Sequence, residues 1–140
     1  MEEMFHMLLY RAFHAQRNYL RPYLSELGLG LGQPKLLAYM AAHGACQQRE
    51  LADYFEIDRA AVSRMIETLE KGRFVTRRTD AENRRADIVE LTGKGEQANE
   101  AWKVHCREME AILLEGFTPE EKDNFSGYLS RAYRNLKERT

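Results

Sequence analysis

Residues 48–71 restrict what this chain can fold into more than any other stretch. Two short amphipathic patterns, 48–56 and 58–71, are joined by about two residues, enough only to turn a corner. Helices that cross steeply through so short a turn need a small side chain at the crossing and apolar ones around it. Ala52 supplies the first, and Leu51, Phe55, Ile57, Val62, Met65 and Ile66 supply the rest. Asp58 stands as N-cap of the second pattern and Gly72 as its stop. The spacing predicts a helix–turn–helix.

Turning Val62, Met65, Ile66 and Leu69 toward a core fixes what faces outward. The outer face then carries Arg59, Ala60, Ser63, Arg64 and Glu67. Small residues beside arginines let a helix sink into a major groove about 12 Å wide, while guanidinium forks reach guanine edges or phosphates. The free amides and dipole at the helix start favour a phosphate as well. Glu67 limits contact beyond that turn unless it reads a cytosine amine.

The texture changes after Gly72. Residues 74–78 and 87–91 are strand candidates rich in β-branched side chains, flanking the polar stretch 79–86, which reads as a hairpin with a long tip. With 21 Lys plus Arg against 22 Asp plus Glu, the net charge of −1 hides a local asymmetry. Residues 71–85 gather Lys71, Arg73, Arg77, Arg78, Arg84 and Arg85 against Asp80 and Glu82, whereas 95–140 are net acidic. Local potential, not total charge, steers an anion to a surface. Arg84 and Arg85 at the tip can enter a narrow minor groove or follow phosphates, and Asp80 can pair with either. Lys35, Gln48, Arg77 and Arg78 are further candidates for phosphate contact.

The remaining segments read as helices. Residues 4–27 form one amphipathic pattern in which Pro22 predicts a kink. Gly28, Gly30 and Gly32 follow as a flexible connector, and Pro34 opens a helix that Gly44 ends. Thr92-Gly93-Lys94-Gly95 caps a helix with Ala98, Trp102, His105 and Met109 on one face. Thr118-Pro119-Glu120-Glu121 starts a last helix striped by Phe125, Leu129, Tyr133 and Leu136. The expected fold is mainly α with a small two-stranded wing. A winged reading lobe spans 32–95, and 1–31 with 96–140 make a helical dimerisation lobe.

Several function classes drop out. Apolar runs of a few residues fall far short of the ~18 that span a bilayer. Acidic residues precede the first apolar stretch, with no cleavage pattern. A cytoplasmic protein without a membrane partner is expected. No phosphate-cradling glycine loop, HExxH or GxSxG occurs, so neither an enzyme nor a cofactor is expected. His43 with Cys46, and His105 with Cys106, do not assemble three local ligands, so no metal site is expected. The cysteines leave a redox reading open: Cys46 precedes a helix start that can stabilise a thiolate, with Arg49 nearby, while Cys106 reads as buried and inert.

Residues 48–52, 57–72, 75–86 and 91–95 resemble the MarR family of winged helix–turn–helix transcriptional regulators, and the likeness extends over nearly the whole chain. One departure is Glu56, where relatives often carry Gly; a left-handed backbone there strains a Glu. The resemblance implies a homodimer on double-stranded DNA at a pseudo-palindromic operator, acting as a repressor and released by a small organic effector. Apolar surface at the chain ends agrees: Phe5, Leu8 and Phe13 with Leu129, Tyr133 and Leu136 exceed what a reading lobe alone needs. His6, Tyr10 and His14 near one helix face, with Tyr39 and Trp102, are candidates for an effector pocket, set against the plainer reading of exposed and core residues. The rival from another class is a helical dimer that binds a protein without specific DNA recognition.

Overall fold

The computed structural model describes residues 4–82 and 87–139. Its elements are α1 (Phe5–Leu27), α2 (Gln33–His43), β1 (Cys46–Gln47), α3 (Gln48–Phe55), α4 (Arg59–Lys71), β2 (Val75–Thr79), β3 (Asp87–Leu91), α5 (Gly93–Leu113) and α6 (Pro119–Lys137). The expected wing is β2 and β3, antiparallel, with Val75 opposite Leu91 and Thr79 opposite Asp87. A third strand joins them, in the order β1–β3–β2. Cys46 and Gln47 pair with Val89 and Ile88 along the free edge of β3. Two residues carry no periodicity of their own, so nothing local announces this strand.

The core lies under the helix–turn–helix. Leu36, Leu37, Leu51, Val62, Ile66, Leu69, Val75 and Val89 are its fully buried side chains, each contributing roughly 1.5–3 kcal/mol by leaving water. Val62, Ile66 and Leu69 follow the spacing of one helix face, so α4 is oriented by what it buries. Ala52 is buried where the sequence placed the small crossing residue. Outside this lobe α1 packs along α5, where the Tyr23 and His105 rings stack at 3.8 Å.

Two connections differ from expectation. The helix α1 runs unbroken through Pro22; Pro22 and Asn18, whose carbonyl loses its partner, are both exposed to water. The glycine connector is tightly ordered. Gly28 ends α1 in the left-handed region at φ 76°, its amide donating to Leu24 and Ser25, and the Gly30 amide donates to Oε1 of buried Gln33 at 2.8 Å.

The root of the wing is clasped by residues 92–95. The Thr92 hydroxyl donates to the Arg73 carbonyl at 2.6 Å and accepts from the Gly95 amide at 3.1 Å. Lys94 donates to the Gly72 carbonyl at 2.8 Å and lies 4.4 Å from the Phe74 ring centroid. At Gly95 a Cβ would stand 2.1 Å from the Phe74 carbonyl oxygen, so only glycine fits. The α6 helix opens with a Thr118–Glu121 capping box and buries none of its residues within the chain. Among the described residues no helix is long and apolar enough to cross a membrane.

Candidate nucleic-acid interface

The outer face of α4 is as the periodicity predicts. Arg59, Ala60, Ser63 and Arg64 are all exposed, and the Asp58 carboxylate caps the helix by accepting from the Ala60 amide at 3.3 Å. Among the described residues neither Arg59 nor Arg64 has a side-chain hydrogen bond or ion pair. Glu67 is turned to Lys71, 3.5 Å away. The first turn of α2 borders this helix: Gln33 and Arg64 line one shallow hollow of about 270 Å³, and exposed Lys35 stands two residues on in the same turn.

The basic residues of the wing divide by role. Arg77 is half-buried and engages Glu70 of α4 through Nε at 3.1 Å and Nη2 at 2.8 Å. The guanidinium holds the Glu70 carboxyl below the usual carboxylate range, and Glu70 in turn raises Arg77. Arg77 therefore ties strand to reading helix and has less to offer a phosphate. Arg78 is exposed, with only a loose approach of 3.9 Å to Glu90. Gln48 is half-buried at the start of α3. Asp80 accepts from Gln47 at 3.0 Å and from the Glu82 amide at 3.0 Å, anchoring one side of the wing tip to β1. Arg84 and Arg85, and the expected pairing of Asp80 with them, lie outside the described residues.

A cleft of about 690 Å³ opens between α1, α5 and the inner side of the reading lobe. Of the five candidate effector residues only Trp102 lines it. His6, Tyr10 and His14 are exposed on α1, the last two stacked at 5.8 Å. Tyr39 instead donates to Glu50 at 2.6 Å and stacks on His43 at 4.1 Å; its hydroxyl is pushed up to about 12, chiefly by that hydrogen bond. Sequence reasoning missed Arg17, Cys106 and Glu110 on the cleft wall, and gave Lys35 and Met65 to other roles. A signal was present: 13, 17, 20 and 24 on α1, and 102, 106 and 109 on α5, each repeat at helical spacing.

The cysteines reverse their expected characters. Cys46 is 4% exposed, and burial, then the Glu50 charge, pushes its thiol up to about 11. Pairing within the sheet withdraws it from the helix start that was to stabilise a thiolate. Cys106 is partly exposed on the cleft wall and also raised by burial. Among the described residues no His, Cys, Asp and Glu cluster is built to hold a metal ion.

Known proteins share this arrangement. A family model described as the MarR family matches residues 27–86, from the end of α1 to the wing tip. YwoH of Bacillus subtilis (strain 168), an uncharacterised HTH-type transcriptional regulator, is 32% identical over 103 residues, 74% of this chain and 74% of that protein. BilQ of Clostridium symbiosum (strain WAL-14163), an HTH-type transcriptional regulator, is 31% identical over 99 residues, 71% of this chain and 69% of its own. The crystal structure of a MarR family regulator from Listeria monocytogenes complexed with 26mer DNA superposes with a TM-score of 0.86. It is 25% identical and covers 99% of this chain and 91% of that one. The helix–turn–helix, the clasped wing and these relatives agree, and the chain belongs to the MarR family of HTH-type transcriptional regulators.

Proposed function

We propose that the chain is a homodimeric, sequence-specific reader of double-stranded DNA that represses transcription and is released by a small organic effector. The observation that carries this reading is the outer face of α4, where Arg59 and Arg64 stand exposed beside the small Ala60 and Ser63. Such a surface is built to enter a groove and bond there. Members of the family are transcriptional regulators and not enzymes. In this reading Arg59, Ser63 and Arg64 contact bases, and Lys35, Gln48 and Arg78 contact phosphates. Arg84 and Arg85 reach the minor groove or backbone, and Arg77 sets the angle of the wing.

The dimer rests on unburied apolar surface. Phe5 and Leu136 are 73% and 70% exposed, and Leu8, Phe13, Leu129 and Tyr133 are exposed as well. A helix such as α6, apolar along one stripe and burying none of its residues within the described chain, needs a partner. A second copy joined by 1–31 and 96–140 would cover it and present two reading lobes to a pseudo-palindrome. The effector reading rests on the cleft, whose walls join the helices of this lobe to Ala61 and Met65 on the inner side of α4. An occupant would shift α4 against the dimer helices, and a tenfold loss of affinity needs only about 1.4 kcal/mol of differential binding.

Titration of a labelled duplex at several salt concentrations tests the reading. A log–log slope of roughly −0.9 per neutralised phosphate, several phosphates deep, is expected. Binding without salt dependence, or none at all, would favour the protein-binding dimer instead.

A further inference from the structure

The α3–α4 turn holds an unexpected contact. Glu56 sits in the left-handed region, φ 56° and ψ 46°, where a side chain is disfavoured and Gly is at ease. Its carboxylate reaches across to the far end of the chain. Tyr133 of α6 donates to Oε2 at 3.0 Å, and Lys137, one turn on, donates to Oε1. These partners hold the Glu56 carboxyl below the usual carboxylate range.

We infer that Glu56 is a latch between the C-terminal helix and the reading lobe. Among the described residues α6 buries none of its own side chains, so this contact ties an otherwise exposed helix to the reading lobe. The turn is also the point from which α4 departs, Glu56 standing two residues before the Asp58 N-cap. The adjacent Ile57 lines the cleft between α1 and α5. One turn thus presents Ile57 to the cleft and Glu56 to α6. Holding α6 there limits how far the reading lobe swings against the C-terminal helix. A Gly at position 56 would relax the backbone and free the helix; Glu keeps the strain and gains the tether.

The test is hydrogen exchange on the full chain at neutral pH and low salt, read at the amides of 130–137 and of the α3–α4 turn. Exposed charge pairs are weak, so Glu56→Gln and Lys137→Gln should each speed exchange in 130–137 by roughly two- to fivefold. The charge-reversed pair Glu56→Lys with Lys137→Glu should return exchange close to the parent. Glu56→Gly separates latch from turn: thermal stability should hold or rise, because the backbone strain is gone, while 130–137 still exchange faster. Unchanged exchange in the Gln variants, or a reversed pair no slower than the single variants, would overturn the latch.

Discussion

Glu70 of α4 and Arg77 of β2 meet through two hydrogen bonds to one carboxylate oxygen, at 3.1 and 2.8 Å. Seven residues apart in sequence, they span the corner where the chain leaves the reading helix for the wing. The fork geometry of a guanidinium fixes direction as well as distance, so this pair sets how the hairpin stands relative to the helix. Removing it should leave the fold intact and the wing misaimed. Arg77→Ala and Glu70→Gln should each weaken binding to a specific duplex by roughly three- to tenfold, with little change in melting temperature. Arg77→Lys should recover only part of the loss. Parental affinity in the alanine variant would remove the pair from the account of the wing.

The clasp at the wing root makes a second prediction, on stability. A Cβ at position 95 would stand 2.1 Å from the Phe74 carbonyl oxygen, a backbone atom that cannot rotate away. Gly95→Ala should therefore cost roughly 2–4 kcal/mol in urea unfolding, as overpacking against backbone does. Gly93→Ala, with open space around it, is the control and should stay within about 0.5 kcal/mol of the parent. Equal midpoints for the two variants would contradict the clasp.

Acid should loosen both carboxylate contacts. Glu56 and Glu70 are each held below their ordinary value of 4.5, by hydrogen bonds from Lys137 and Tyr133 and from Arg77 respectively. Groups lowered on folding contribute stability above the unfolded value, and that contribution is lost as pH falls through the lower folded values. Urea midpoints should thus decline below about pH 4.5. The double variant Glu56→Gln with Glu70→Gln should start lower at neutral pH and decline less. An identical acid limb in both proteins would show that other carboxylates carry it.

Thiol chemistry separates the two cysteines. Cys46 is buried in the sheet with its thiol pushed up to about 11, so it should resist a thiol reagent in the native protein near pH 8. Cys106 is more accessible, though its thiol is raised as well. One thiol should label slowly in the folded state and the second only in denaturant, with mass spectrometry identifying Cys106 as the first. Prior labelling of Cys46 would restore the redox reading that its burial argues against.

Local chemistry was readable from the sequence. The turn near Ile57, the Asp58 cap, the buried stripe of α4 and the β2–β3 hairpin all follow from residues a few positions apart. Periodicity and capping therefore found them without knowledge of the rest of the fold. What escaped depends on distant partners. The β1 strand exists because Cys46 and Gln47 meet the edge of β3 more than 40 residues away. The strain at Glu56 is legible locally, but its partners Tyr133 and Lys137 lie near the other end of the chain. That four of the five effector candidates stand away from the cleft has a related reason. Helical spacing puts His6, Tyr10 and His14 on one side of α1 without saying what that side faces. The cleft follows instead from α1 crossing α5, which brings Arg17, Cys106 and Trp102 together.

The most direct test of the account is selection of bound duplexes from a random pool at about 150 mM salt, near physiological ionic strength. The parent should enrich a pseudo-palindrome with half-sites about one helical turn apart. Arg64→Ala should bind that sequence more weakly and tolerate other bases at one position of each half-site. Recovery of no enriched sequence by the parent, or an unchanged preference in Arg64→Ala, would contradict the reading of α4 as the element that recognises DNA.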